Sequence, residues 1–263
     1  MKHLNTYITE YIIKKKLDTP IYSEYKYHPQ TKEELISNID ELLDKEISDF
    51  NCIDTSNIID MSDLFVEINK IRKINFDVSN WNVSNVENMS NIFSYCFSFD
   101  CDLSKWDVSN VTSMSGMFKN CENFKGKGLD KWDVYNVENM RHMFDGCKKF
   151  NGKSIENWNV SNVTNMNGMF YSCFNLNCDL SKWDVSKVED MSHIFYECKN
   201  FEGNGIDKWD VSNVNNMDFM FYACRKFKNN NLKIWNTEKL KHTFNMFHGC
   251  PPVKNKPKLP RKK

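Results

Sequence analysis

The most obvious reactive groups in this 263-residue chain are its ten cysteine thiols. Thiols could bind metal ions or form disulfides, and seven of them recur every 25 or 26 residues. The series contains no CxxC pair and no histidine shares its position, which disfavours zinc-type ligation. We therefore expect buried, reduced thiols that pack as small apolar groups. The series is Cys96, Cys121, Cys147, Cys173, Cys198, Cys224 and Cys250.

Histidine is the side chain best suited to acid–base chemistry near neutral pH, and the chain has six. Only His142 and His193 share a position in the repeating pattern, and they stand two repeats apart. No Ser/His/Asp or Cys/His combination can be assembled, and the glycines form no phosphate-binding loop. The sequence predicts a protein that is not an enzyme and that holds no catalytic residue, metal or cofactor.

Charged and amide side chains form a second regular series, on both sides of seven tryptophans with the same period. The residue before each Trp is mostly Lys or Asn, and the residue after it is Asp or Asn. One interpretation is a solvated sheet whose charges neutralise each other. The other is a polar recognition surface for a protein or a glycan. The candidate binding residues are Lys105, Asp107, Lys131, Asp133, Asn157, Asn159, Lys182, Asp184, Lys208 and Asp210.

The tryptophans define the elements that must position these groups. A constant period of 25 or 26 residues is typical of solenoids, in which each unit buries its apolar face against its neighbours. In one unit, residues 103–108 suit a short strand. Residues 114–121 have apolar side chains at i, i+3, i+4 and i+7, which favours a helix, and Ser109 and Asn110 suit its N-cap. The tryptophans are Trp81, Trp106, Trp132, Trp158, Trp183, Trp209 and Trp235.

We therefore predict an α/β repeat fold, an LRR-like right-handed solenoid of about eight strand–turn–helix units with an N-terminal helical cap. Strands stack about 4.8 Å apart, whereas helices pack about 8–10 Å apart. This mismatch should curve the solenoid and place the strands on its concave face. Cysteines at helix spacing would exceed the Cα separation of about 7 Å beyond which a disulfide cannot form.

The pattern divides the chain into four segments. Residues 1–20 are predicted to be an amphipathic leader and residues 21–50 a helical cap, in which Thr31-Lys32-Glu33-Glu34 fits a capping box. Residues 51–250 hold one degenerate unit and seven regular units. Residues 251–263 carry six basic residues and no acidic one, and we expect a disordered basic tail.

The unit W-D-V-S-N-V-T-x-M-x-x-M-F-x-x-C-x-x-F closely resembles the repeat of BspA-type leucine-rich-repeat surface proteins. These occur in gut and oral bacteria, in mycoplasmas, and in phages and large viruses. The resemblance covers residues 51–250, and the lead-in at residues 27–35 is similar to that of gut-associated members. It implies a gut bacterial or phage/viral protein with a surface or host-interaction role and no enzymatic activity.

We expect a non-enzymatic binding, adhesion or host-interaction module that presents a polar concave face to a protein or glycan. One alternative is a virion-associated or host-takeover phage or viral protein docked through its N-terminal helix. Another is weak, salt-sensitive nucleic-acid contact through residues 254–263. No apolar run reaches the roughly 18 residues of a membrane span, and the N-terminus lacks the features of a signal peptide. We therefore expect a cytoplasmic or virion-associated protein rather than a classically secreted one. We also expect a monomer.

Overall fold

The computed structural model of the protein describes residues 25–68, 71, 73–228 and 231–259. The leader expected at residues 1–20 lies outside the described residues. Most of the described chain forms turns and isolated parallel β-bridges. Within these ranges an α-helix, α1, spans Lys32–Asp44. Single-turn 3₁₀ helices in the same part of the chain span Leu129–Lys131, Lys153–Ile155, Ile206–Lys208 and Leu232–Ile234.

Helix α1 begins at the predicted capping sequence. The Thr31 Oγ1 accepts the Glu34 backbone N–H at 3.2 Å, and the Glu34 carboxylate accepts the Gln30 N–H at 2.7 Å. The return bond therefore comes from the residue before the N-cap rather than from the N-cap itself. One apolar face of α1 enters the core that the repeats share, through Leu35, Ile39 and Leu42.

Consecutive repeat units lie side by side and run parallel. Of the nine bridges in the described chain, seven join the residue seven positions after the Trp site of one unit to the equivalent residue of the next. This position lies beyond residues 103–108, the segment expected to be a strand. That segment is bent into a turn instead, because the Trp106 N–H bonds to the Leu103 carbonyl at 3.1 Å. The residues bridged in order are Asp60, Asn88, Ser113, Asn139, Asn165, Asp190, Asn216 and His242.

Two consecutive turns take the place of the helix expected in each unit. In residues 114–117 the Met117 N–H donates to the Met114 carbonyl at 3.2 Å. In residues 118–121 the Cys121 N–H donates to the Phe118 carbonyl at 2.9 Å. Their third residues, Gly116 (φ 62°) and Asn120 (φ 58°), are left-handed. Left-handed residues suit turns of type II and interrupt an α-helix. The helix-like spacing arises because the first and last side chains of both turns enter the core.

Alternate amides of these turns point towards the next unit. The donors in the unit of Trp106 form bonds of 2.5–2.9 Å to carbonyls of the unit of Trp132. These donors are the N–H groups of Met114, Gly116, Phe118 and Asn120. In the last unit the equivalent N–H groups have no acceptor among the described residues. These groups belong to Thr243, Asn245, Phe247 and Gly249.

Columns of identical side chains form the core. The seven tryptophans are only 2–5% exposed, which confirms their predicted core role. Each indole Nε1–H donates, at 2.8–3.1 Å, to the carbonyl three positions before the Trp site of the preceding unit. The rings of Trp132 and Trp158 stack at 6.2 Å, and those of Phe118 and Phe144 at 5.6 Å. The side expected to carry helices thus stacks as closely as the Trp side, so the physical argument for a concave strand face no longer applies.

The described part of the tail, residues 251–259, returns to the last unit. The Thr237 hydroxyl donates to the Lys258 carbonyl, and Pro257 is buried. The Lys256 ammonium lies 5.5 Å from the centre of the Phe247 ring. These contacts differ from the expected disorder, because residues 256–258 pack against the face of the last described unit.

Candidate binding surface

All ten candidate residues beside the tryptophans are exposed. The Trp side chains between them are buried, and consecutive units run parallel. The residues before and after the tryptophans therefore form two adjacent rows, which we name the Lys/Asn row and the Asp/Asn row. The structure brings the predicted residues together on one surface, and their hydrogen bonds indicate what each row does.

The Asp/Asn row stabilises the backbone turn that follows each Trp. The Asp107 carboxylate accepts the Ser109 N–H at 3.1 Å, and the Asp184 carboxylate accepts the Ser186 N–H at 3.0 Å. The hydroxyl of the same serine, and then its backbone N–H, lowers the pKa of both carboxyl groups. Each is a side-chain-to-backbone bond of the Asx type. The same bond is made at Asn82, Asp133, Asn159, Asp210 and Asn236.

The Lys/Asn row is linked from unit to unit. Lys105 Nζ donates to the Asn80 amide oxygen, and Lys182 Nζ donates to that of Asn157, both at 2.5 Å. Lys131 instead lies 3.0 Å from its neighbour Asp130. These three lysines therefore pair with acceptors of their own row or with the preceding residue, and none of the three forms an ion pair with the Asp/Asn row beside it.

A third polar row, four positions after the tryptophans, links each turn to the preceding unit. The side chain of Asn110 donates to the Ser84 carbonyl at 2.7 Å, and that of Asn136 donates to the Ser109 carbonyl at 2.7 Å. Each Asn thereby joins its own turn to the preceding unit. Ser109 and Asn110 were expected to cap a helix, and this expectation is wrong because no helix follows them.

An aromatic row, which sequence reasoning missed, lies thirteen positions after the last four tryptophans. Tyr171, Tyr196 and Tyr222 stack with ring centres 4.4 and 4.7 Å apart, and His248 continues the stack at 5.0 Å. The tyrosines are partly exposed and His248 is exposed. Burial and the neighbouring Tyr196 raise the pKa of Tyr171 to about 12. The equal spacing of these residues in the sequence was the signal that could have found the row.

A second line of rings adjoins the aromatic row. The rings of His193 and Phe219 stack at 4.9 Å, and Phe219 lies 5.3 Å from Phe244. Phe244 is 63% exposed, the largest exposure among the described large apolar side chains. The unit of Trp106 has no ring at the equivalent positions. It has Gly116 in place of His193 or Phe219, and Lys119 in place of the tyrosines of the aromatic row. The repeat itself therefore does not require aromatic residues here.

The cysteine thiols are part of the core ladder. Cys121 Sγ donates to the Phe93 carbonyl at 3.0 Å, and Cys147 Sγ donates to the Phe118 carbonyl at 3.0 Å. Burial raises the pKa of both thiols well above the usual value. These cysteines lie on stacked turns rather than on helices. The helix-spacing argument against disulfides is therefore wrong, although all ten cysteines are free thiols.

Among the histidines that the structure describes, His142 alone has a buried ring nitrogen without a hydrogen bond of good geometry. Its Nδ1 lies 3.2 Å from the Asp145 carboxylate, and Lys119 approaches the same carboxylate at 3.5 Å. Burial, followed by the charge of His142, lowers the pKa of His193. The described residues contain no group of three or more His, Cys, Asp or Glu side chains placed to hold a metal ion.

Comparisons with known proteins place these observations in context. The profile of a family described as "Mycoplasma protein of unknown function, DUF285" matches residues 33–153, 113–229 and 150–258. No curated protein sequence matches the chain. A solved structure, the crystal structure of a TLR13–ssRNA13 complex, is 13% identical with a TM-score of 0.31. The match covers 80% of this chain and 29% of that one, and a score this low does not define a shared fold. No helix in the described part of the chain is long and apolar enough to span a bilayer.

Proposed function

We propose, from the premise that this chain belongs to the DUF285 family, that it is a non-enzymatic binding module. In this proposal the stacked units form an LRR-like right-handed solenoid and present a long surface to a protein partner. The similarity of the repeat to BspA-type surface proteins favours adhesion or host interaction. The family description assigns no function, so the proposal depends on the surface of this chain.

The aromatic row carries the proposal. Tyrosine provides a large, rigid contact area with a polar edge, and it is enriched among the residues that dominate protein interfaces. The rings of Tyr196 and Tyr222 are already held in place, with their planes within 4° of each other. A partner would therefore order few side chains on binding. The exposed Phe244 extends this surface at the end of the array.

The polar rows beside the tryptophans are the alternative contact surface for a protein or a glycan. Their exposed lysines are positioned by neighbours, as Lys182 is by Asn157. However, the Asp/Asn row is already explained by its bonds to the turns, as at Asp184. Among the candidate residues, the lysines are therefore the better choice for contact with a partner.

The test compares two double variants of the full chain. Tyr196→Ser with Tyr222→Ser alters the aromatic row, and Lys131→Glu with Lys182→Glu alters the Lys/Asn row. Each immobilised protein is exposed to bacterial lysate and envelope fractions and to a glycan array, after denaturation curves have shown that the variants are folded. We expect the wild type to capture a protein that the tyrosine variant loses and the lysine variant retains.

Each other result has a definite meaning. Loss of the protein with the lysine variant alone would assign binding to the Lys/Asn row. Glycan binding without any captured protein would contradict the proposed partner class. Equal capture by all three proteins would exclude both surfaces.

A further inference from the structure

The final cysteine of the core series differs from those before it. Cys250 is partly exposed, whereas the preceding six members of the series have no exposed surface. Cys250 belongs to the last unit of the bridged series, and no further unit among the described residues packs over it. Reagents dissolved in water can therefore approach Cys250 but not the earlier members.

Cys224 and Cys250 occupy equivalent positions in two adjacent units. A parallel bridge sets these units in register. The rings of Phe221 and Phe247, three residues before the two cysteines, are 5.3 Å apart with 13° between their planes. A disulfide requires Cα atoms about 4.4–6.8 Å apart, a range that includes this spacing between the two units. The Cys224 thiol donates to the Phe195 carbonyl at 3.0 Å and the Cys250 thiol to the Phe221 carbonyl at 2.8 Å, so both thiols occupy the same place in their units.

The surroundings of the two thiols divide their roles. The neighbouring Cys224 side chain, followed by the charge of Lys256, lowers the pKa of Cys250. Burial raises the pKa of Cys224 well above its usual value. A thiol reacts as its thiolate, so Cys250 is the nucleophile that reacts first. Cys224 lies in place to react second.

We propose that Cys250 and Cys224 form a thiol–disulfide exchange site that takes a small-molecule disulfide as its reactant. The Cys250 thiolate attacks one sulfur of the reactant, the reactant's S–S bond breaks, and one small thiolate leaves as a mixed disulfide forms. Cys224 then attacks the Cys250 sulfur, and its proton passes to the second small thiolate as that group leaves. Two protein thiols are oxidised to one disulfide, and the small disulfide is reduced to two thiols.

The product would tie the last unit covalently to the one before it. The last unit has a neighbour on one side only, and four of its amides have no acceptor among the described residues. In a stacked array such a terminal unit opens most easily. Oxidation at this site should therefore raise the melting temperature of the terminal units and slow the exchange of their amides.

The experiment uses the full chain carrying Cys52→Ser, which removes a partly exposed thiol outside the series. The folded protein is incubated with oxidised glutathione, quenched in acid, alkylated in denaturant and mapped by mass spectrometry. We expect a peptide pair joined by a Cys224–Cys250 disulfide, with the other cysteines alkylated. The Cys224→Ser variant should stop at a glutathione adduct on Cys250. The Cys250→Ser variant should not react, and the control Cys173→Ser should react normally.

Two results would overturn the proposal. A lasting glutathione adduct on Cys250 in the chain that keeps Cys224 would exclude Cys224 as the second thiol. Alkylation of both cysteines after native oxidation, with disulfide formation only in denaturant, would exclude the site. Disulfide mapping on the chain that retains both cysteines decides between these outcomes even if a serine variant does not fold.

Discussion

Replacing Trp158 by alanine tests the stacked core at the middle of the array. The ring lies 6.2 Å from that of Trp132, and its Nε1–H donates to the Leu129 carbonyl at 2.8 Å. Truncating a buried Trp costs about 3–5 kcal/mol, of which the hydrogen bond accounts for about 1 kcal/mol. Domains of this kind are stable by about 5–15 kcal/mol, so the change should remove a large fraction of the total.

The Trp158→Phe variant is the matched control. It keeps an aromatic ring in the column and loses the indole N–H. The Leu129 carbonyl still accepts the Trp132 backbone N–H at 3.2 Å, so no buried acceptor is left unpaired. We expect a cost of about 1–2 kcal/mol. Urea denaturation followed by circular dichroism measures all three proteins, and equal midpoints for wild type and Trp158→Ala would refute the core assignment.

Three further predictions concern the turns and the tail. Gly116→Ala should cost about 1–2 kcal/mol in urea denaturation, because φ there is 62° and a Cβ would lie 2.1 Å from the Asn91 amide oxygen; an unchanged midpoint would contradict the left-handed turn. The lowered pKa values of Asp107 and Asp184 mean that their stabilisation is complete above the unfolded-state pKa and is lost as pH falls through the folded-state values. Thermal melts should therefore show a loss of stability below about pH 4 that is smaller when both are changed to Asn. Deleting residues 251–263 should leave the array folded but lower its melting temperature slightly, and an unchanged value would mean that the tail contacts are not stabilising.

The core could be predicted from the sequence because its columns recur with one period. Burial of a side chain depends mainly on its apolar area and on its register with other apolar positions. The Trp column and the thiols at fifteen positions after it satisfy both conditions, and both are buried except at the end of the array. The start of α1 was also visible, because Thr31 and Glu34 provide a local signal.

The conformation within each unit could not be predicted from apolar spacing. Side chains at i, i+3, i+4 and i+7 enter one core whether residues 114–121 form a helix or two turns. The distinguishing feature is the left-handed backbone at Gly116 and Asn120, and the equivalent positions in other units hold varied residues, such as His142. The error then spread to the disulfide argument and to the concave face, which both assumed helix spacing.

The candidate site was predicted only in part. The exposed rows beside the tryptophans were found because they recur, but recurrence itself arises from a structural cause at residues such as Asp107, which bonds to a turn. The aromatic row at Tyr171, Tyr196 and Tyr222 was missed because this position holds aromatic residues only in the later units, whereas the predicted rows recur along the array. In a repeat protein, those changes are the better guide to a binding surface.

The central structural claim is that amides of each turn pair with the next unit rather than within a helix. Scalar couplings across hydrogen bonds, measured by NMR on deuterated protein, detect the acceptor of each amide directly. The structure predicts a coupling between the Gly116 nitrogen and the Arg141 carbonyl carbon, whose bond is 2.7 Å long. A coupling from Gly116 to the carbonyl of Thr112, four residues earlier as in an α-helix, would contradict it.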